Sequence, residues 1–316
     1  MKVAVMGSGG LGSYFGGVLA NAGLDVTFIA RGQNLDTLQS RGLTLRELDG
    51  SEFHTNVRAI EDPSSIGPVD LLWFTVKTYD IDSAASQVKS LIGNTTLVLP
   101  LQNGVEAAEL IQDVVGEGHV LGGVCLGGAT LVSPGVVEAK VPRVRVQFGE
   151  MAGGTSPRTE SLLDALTQAG VAAELSADIK VDIWQKFIVA CMTLGLSSLT
   201  RLPLGPMFDY EETRTLALGV IEEAAAVARA EGVRLPEDAG EKAFTFLQNV
   251  AKESPEARGS MYFDLVQGRR LELDGMNGAV VRLGRKHGIP TPCNFVVLAA
   301  LQPYAMGSPA KAVSPQ

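Results

Sequence analysis

The chain has 316 residues, enough for about two domains at roughly 150 residues each. Hydrophobic residues make up 46% and charged residues 19%, which excludes a largely disordered chain, and 15 prolines without a three-residue glycine period exclude collagen. The net charge of −9 argues against a nucleic-acid partner.

Glycine is over-represented, with 36 residues, about 11% against an ordinary 7% or so. Residues 3–6 are an apolar run that meets a glycine cluster before any cleavage-site pattern, so they read as a strand buried on both faces rather than a signal peptide. Leu11, Phe15, Val18, Leu19 and Ala22 then recur at helical spacing, and Gly23 reads as the C-cap. Strands follow at 25–30, 69–76 and 96–99, with a helix at 105–115. This alternation predicts a parallel sheet covered by helices. Segments 120–132, 136–141 and 143–149 read as strands of an antiparallel extension, followed by a helix at 161–169 and a strand at 171–175.

After Asp178 the strand signals fade, and 179–199, 209–231, 238–252 and 276–287 read as helices. The expected organisation is an N-terminal Rossmann domain at 1–178, an all-α domain at 179–305, and a frayed Ser/Pro/Ala-rich tail at 306–316. Cys125, Cys191 and Cys293 are far apart, as are His54, His119 and His287, so neither a disulfide framework nor a metal site is expected. No uninterrupted apolar run of about 18 residues occurs. The expectation is a cytoplasmic protein with no membrane contact.

The turn Gly7-Ser8-Gly9-Gly10-Leu11-Gly12 follows a buried strand and opens an amphipathic helix. In that context G-x-G-x-x-G points to a dinucleotide: Gly7 for the tight turn, Gly9 for close approach of a pyrophosphate, Gly12 for helix–strand packing. The helix N-terminus supplies free N–H groups and a positive dipole end. A glycine turn without a ligand is the alternative. An NAD site tends to place an acid at the end of the second strand, but here Phe28-Ile29-Ala30 runs into Arg31. A guanidinium suits a 2′-phosphate, so NADPH is the expected cofactor, unless Arg31 is only a solvated surface residue.

These pieces, in order with others, resemble the ketopantoate reductase (2-dehydropantoate 2-reductase) family. The matching features are the glycine turn, Arg31, Val76-Lys77-Thr78, Pro100-Leu101-Gln102-Asn103-Gly104 and Trp184-Gln185-Lys186-Phe187. Further on come Ser260-Met261, Glu272, Asn277, and His287-Gly288-Ile289-Pro290 ahead of Pro292 and Asn294. The resemblance implies NADPH-dependent reduction of a 2-keto acid to its 2-hydroxy product and a place in pantothenate biosynthesis.

By resemblance Lys186 is the catalytic lysine and Glu272 the acid that orients substrate and proton donor. Ser260 would bind the substrate carboxylate, Asn103 would touch both nicotinamide and substrate, and Lys77 would contact the cofactor. Each has a plainer reading. Lys186 could snorkel from a helix start. Glu272 could favour a helix dipole, Ser260 could cap the helix that follows it, Asn103 could form a capping arrangement with Glu106, and Lys77 could be solvated.

The family usually carries asparagines four, eight and eighteen residues after the lysine; here Ala190, Leu194 and Leu204 stand there. Thr193, Ser197 and Ser198 could offer hydroxyls, but one residue of offset turns a helical side chain by about 100°. Loss of amide partners favours a more apolar substrate. The competing activities are an opine or 2-hydroxy-acid dehydrogenase on the same fold, or a non-catalytic NADPH-binding protein. The partner expected is a small keto substrate, and the helical domain has room for a homodimer face.

Overall fold

The computed structural model describes residues 1–309. The chain forms two compact units, Met1–Gln102 with Glu106–Lys180, and Asn103–Val105 with the chain from Val181 onward. The tail expected to fray lies outside the described residues from 310; before that, Gly307 N donates to Tyr304 O and Ser308 N to Gly268 O.

In the first unit the chain runs β1 (Lys2–Met6), α1 (Gly10–Asn21), β2 (Asp25–Ile29), α2 (Gly32–Arg41), β3 (Leu43–Arg46), β4 (Glu52–Thr55) and β5 (Arg58–Ile60). It continues through β6 (Leu71–Phe74), α3 (Ile81–Gln87), β7 (Leu97–Pro100) and α4 (Ala107–Val115). β5-β2-β1-β6-β7 is a wholly parallel sheet. Its central strands are buried on both faces because successive side chains alternate. Val3 and Val5 of β1 and Leu71 and Trp73 of β6 enter one core with Phe15 and Leu19 of α1. Ala4, Met6, Leu72 and Phe74 enter the other, with Ile81 and Ala84 of α3 and Ile111 of α4. That is why these strands read as unbroken apolar runs.

The chain then forms β8 (Gly122–Leu126), β9 (Ala129–Ser133), β10 (Val136–Ala139), β11 (Arg145–Gly149), α5 (Pro157–Gln168) and β12 (Ala172–Leu175). The single strand expected at 120–132 is two strands in different sheets. Gly127, at φ +105, breaks it. β8 pairs antiparallel with β11, which pairs parallel with β12. β9 pairs antiparallel with β10, which pairs parallel with β3, and β3 pairs antiparallel with β4. Segment 31–68, unassigned in the sequence reading, thus supplies a helix and three strands. At the end of α1 the C-cap expectation holds: Gly23 takes φ +86, and Leu24 N reaches back to Leu19 O.

The second unit is helical: α6 (Ile179–Thr200), α7 (Leu204–Asp209), α8 (Glu211–Ala230), α9 (Ala239–Glu253), α10 (Ser260–Val266), α11 (Ala279–His287) and α12 (Pro292–Leu301). The helix expected at 209–231 starts at Glu211, because Tyr210 is extended (φ −103, ψ 138) and separates α7 from α8. The helix expected at 276–287 begins with a wide turn, Asp274–Gly278, in which Met276 is non-helical. Among the described residues α6 alone has the length and mean hydropathy (1.2) to cross a membrane, and 61% of that stretch is buried inside the protein. It is the spine of the unit's core, with Phe187, Ile188, Cys191, Met192 and Leu196 all enclosed.

Two tests follow. The Glu150 carboxylate accepts from Arg158 Nε at 2.7 Å, Arg158 Nη2 at 2.5 Å and Ser156 Oγ at 2.5 Å, joining β11 to the first turn of α5. The Arg158 bonds, then Ser156, hold its carboxyl below the ordinary range against the opposing effect of burial. A depressed pKa contributes stability above the unfolded value and loses it as pH falls through the folded one. Glu150→Gln should therefore cost about 1 kcal/mol at neutral pH, and the gap should close below about pH 4 in a series of thermal melts. Glycine positions give the second test. A Cβ at Gly12 would collide with Gly7 O and Thr75 Oγ1, whereas one at Gly9 meets nothing within 4 Å. Gly12→Ala should lose about 1–3 kcal/mol in thermal unfolding and Gly9→Ala less than about 0.5.

Candidate active site

The glycine turn is built from beneath. Gly7 takes φ +99, and a Cβ there would lie 2.8 Å from Val76 N. Thr75 Oγ1 donates to Gly7 O at 2.7 Å. Ser8 O accepts from Ser13 Oγ at 3.0 Å and from Asn34 Nδ2 at 2.9 Å, while Asn34 Oδ1 accepts from Gly135 N at 2.9 Å. Asn34 and Thr75 carry no motif signal of their own. They act on the turn only because α2 and the end of β6 fold against it.

Gly9 occupies the N-cap of α1 and provides no side-chain cap, so the first-turn N–H groups lack an intrahelical acceptor. Among the described residues, no atom beyond the adjoining chain lies within 4 Å of where a Gly9 side chain would point. Open space beside an uncapped, positive helix end is chemistry suited to a phosphate. The carboxyl ends of β1, β6 and β7 lead into Gly7, Thr75–Lys77 and Leu101–Asn103, the edge where open α/β sheets bind ligands. There Gln102 Nε2 donates to Phe74 O at 3.1 Å, while its buried Oε1 has no protein donor.

Arg31 is the N-cap residue of α2, and its side chain is 84% exposed. The sequence shows no acid at the end of β2, yet the fold brings one from elsewhere: Asp80, beyond β6, lies 3.4 Å from Arg31 Nη2. Lys77 leads into the short turn Thr78–Asp80 and is half-buried. Asn103 does not cap α4. The helix starts at Ala107 with Glu106 in the N-cap position and no side-chain cap, which corrects both the capping arrangement and the expected start at 105. Val105 instead packs against the core of the helical unit.

In that unit Lys186 is half-buried, eight residues into α6. At 100° per residue, Lys186, Ala190, Thr193, Leu194 and Ser197 share one face of the helix. Ala190 and Leu194 are each 8% exposed and Leu204 1%, so all three are packed apolar positions. Neighbouring hydroxyls spend their protons on the helix backbone. Thr193 Oγ1 donates to Val189 O at 2.8 Å, and Ser197 Oγ donates to Thr193 O at 2.5 Å. Among the described residues, Ser198 Oγ is buried without a hydrogen-bond partner.

Gly259 seats the next segment on this face. Its N–H donates to Ser197 Oγ at 3.1 Å, and a Cβ there would stand 2.6 Å from Leu194 Cα. Leu204 N and Gly205 N donate to Ala257 O and Pro255 O. Positions 194, 204 and 260 are therefore gathered around one strap of chain. Ser260 is the exposed first residue of α10, and Gly259 holds the N-cap position, so the capping reading of Ser260 does not hold. Glu272 lies just before the wide turn that leads into α11 and is 5% exposed. A carboxyl so enclosed needs polar company. Among the described residues no group of three or more His, Cys, Asp or Glu side chains is placed to hold a metal.

Residues 3–153 match the family model for ketopantoate reductase PanE/ApbA, and 178–305 match the model for its C-terminal domain. A 2-dehydropantoate 2-reductase of Mesorhizobium japonicum is 31% identical, covering 97% of this chain and 98% of its own. The crystal structure of a PanE/ApbA family ketopantoate reductase from Ralstonia eutropha superposes with TM-score 0.88 at 35% identity, covering 96% of this chain and 98% of that one. A D-mandelate dehydrogenase solved with NADH and anilino(oxo)acetate also reaches TM-score 0.88, at 25% identity, covering 96% and 98%. With both halves of the chain matched by the family's models, this chain belongs to the ketopantoate reductase family.

Proposed function

We propose that the chain reduces the carbonyl of a 2-oxo acid to a 2-hydroxy acid with NADPH, as a 2-dehydropantoate 2-reductase does, and that its preferred substrate is more apolar than ketopantoate. The observation that carries the substrate reading is the packed apolar state of Ala190, Leu194 and Leu204 on the face and strap shared with Lys186 and Ser260. NADPH supplies the hydride. The fit of the chain to that cofactor rests on the open, uncapped start of α1 and the unanswered Gln102 Oε1. Main-chain N–H groups at residues 9–12 would hold the pyrophosphate and Arg31 the adenosine 2′-phosphate, with Lys77 a further contact to the cofactor.

Lys186 would donate to the carbonyl oxygen as charge develops on it and deliver the proton. Glu272, enclosed as it is, would orient that ammonium or a polar group of the substrate. Ser260, exposed at the start of α10, would receive the substrate carboxylate, and Asn103 would meet the carbonyl side of the reaction. The small 2-oxo acid itself would be the partner. The D-mandelate dehydrogenase neighbour supports an apolar choice, because mandelate carries a phenyl ring on its hydroxyl-bearing carbon and anilino(oxo)acetate an anilino group on its oxo carbon.

A panel of 2-oxo acids graded by polarity tests the substrate. Each amide that the pocket lacks leaves a substrate hydroxyl short of about 1–3 kcal/mol, or roughly 5–150-fold. Phenylglyoxylate and branched aliphatic 2-oxo acids should thus show kcat/KM at least about 10-fold above ketopantoate. A preference for ketopantoate would return the chain to the family's ordinary substrate. The cofactor has its own test. Arg31→Ala should raise KM for NADPH by about 10-fold or more and leave NADH within about twofold. Asp80→Asn should tighten NADPH by a few fold, since the exposed pair competes with the phosphate by less than about 1 kcal/mol. Equal effects of Arg31→Ala on both cofactors would reject the 2′-phosphate role.

A further inference from the structure

Asn277 and Asn294 belong to the family pattern but have no part in the chemistry above. Both side chains are fully buried, at 0% exposure. They lie in one directed chain of hydrogen bonds. It begins at Glu223 on α8, whose carboxylate faces the first turn of α12. Glu223 Oε1 accepts from Cys293 N at 2.7 Å, and Oε2 accepts from Asn294 N at 2.9 Å and Asn294 Nδ2 at 2.8 Å. Thr291, the N-cap residue of α12, makes no side-chain cap, so Glu223 does that work from a different helix.

A carboxylate only accepts, so it fixes which way each amide points. Asn294 must turn its NH2 toward Glu223, and the second proton reaches Val220 O at 3.1 Å. Its Oδ1 then faces the other way and accepts from Asn277 Nδ2 at 2.9 Å. The remaining Asn277 proton goes to Cys191 O, 3.3 Å away on α6. The helix makes room for this contact: a Cβ at Gly195 would stand 2.6 Å from Asn277 Oδ1.

Asn277 points inward because its turn is wide. Gly278 N donates to Leu273 O at 3.0 Å, a five-residue span, and Met276 leaves helical geometry at φ −110, ψ −108. An extra residue in a helical turn re-aims side chains and is frequent at functional sites. Glu272 is the residue just before this closure. Two bonds, Gly278 N to Leu273 O and Asn277 Nδ2 to Cys191 O, therefore tie the main chain beside Glu272 to the helix of Lys186.

We propose that Asn277 is a positioning residue: it locks the Glu272 turn against the Lys186 helix, with Asn294 and Glu223 as its buried supports. The inference rests on the reading of Lys186 and Glu272 as the reacting pair. A core of this kind needs no amides for stability, since apolar groups of matching shape can serve equally well. What amides add is direction. A misplacement of about 1 Å at a reacting group can lower a rate about 100-fold.

Four variants decide the matter, assayed with NADPH and the faster of ketopantoate and phenylglyoxylate. Asn277→Ala should lower kcat by about 10-fold or more, with KM for the oxo acid and Kd for NADPH within about twofold. Gly195→Ala keeps the asparagine but crowds it and Val297 Cγ1, so it should lower Tm somewhat and lower kcat in the same way as Asn277→Ala. Val297→Ala is the packing control. Val297 touches the same Gly195 surface, so this variant should lower Tm while kcat stays within about twofold. Lys186→Ala should lower kcat by about 100-fold or more. If Lys186→Ala keeps its kcat, the reading of the reacting pair fails, whatever Asn277 does. If Lys186→Ala is inactive but Asn277→Ala and Gly195→Ala change only Tm, or if Val297→Ala loses kcat equally, the positioning role is overturned.

Discussion

The space that a side chain at residue 12 would occupy is already filled by the carbonyl of Gly7 and the hydroxyl of Thr75. That single close approach sets α1 directly on the sheet. It brings the helix start to the carboxyl edge of β1, with its unpaired N–H groups at the mouth of the turn. Gly10 repeats the constraint against Ala129 O, and Gly16 against the ring of Phe28. The glycine surplus near the N-terminus is thus mostly packing. Gly9 and Gly23 have nothing near their missing side chains; Gly23 closes α1 at φ +86, whereas Gly9 keeps its space open at the helix start, inside the turn.

The helical unit meets a different demand. α6 is both the spine of the core and the carrier of Lys186, so its faces divide the work. One face buries Phe187, Cys191 and Met192. Another carries Lys186, Ala190, Leu194 and Ser197, and the strap at 255–260 is seated on it. Ala190 and Leu194 are packed apolar positions on that second face. Ser197 and Gly259 hold the strap there, so its seating does not rest on a polar side chain at 190 or 194.

Parts of the candidate site were legible in the sequence. The glycine turn, Arg31, Lys186 and Glu272 were each visible from residue type and order, the last two only through the resemblance. Asp80 was not, because its carboxylate meets Arg31 across 49 positions of chain. Asn34 and Thr75 were missed for the same reason: their partner at the turn is 26 or 68 residues away. The capping readings of Asn103 and Ser260 failed in a related way. Local spacing allows a cap, but the packing of Val105 and Gly259 decides where each helix begins.

The sequence by itself determined the strands and helices with strong periodicity, the parallel arrangement of the first half, and the class of cofactor. Those features rest on local sterics and on alternation of side chains, which a single stretch of chain carries within itself. Tertiary structure alone decided how 31–68 and 120–149 share out among three sheets, since strand partners are chosen by what lies beside them. It also decided the chain from Glu223 through Asn294 and Asn277 to Cys191. Each of those bonds joins different elements, and burial is what makes their direction matter: away from water, a donor must find its acceptor within the fold.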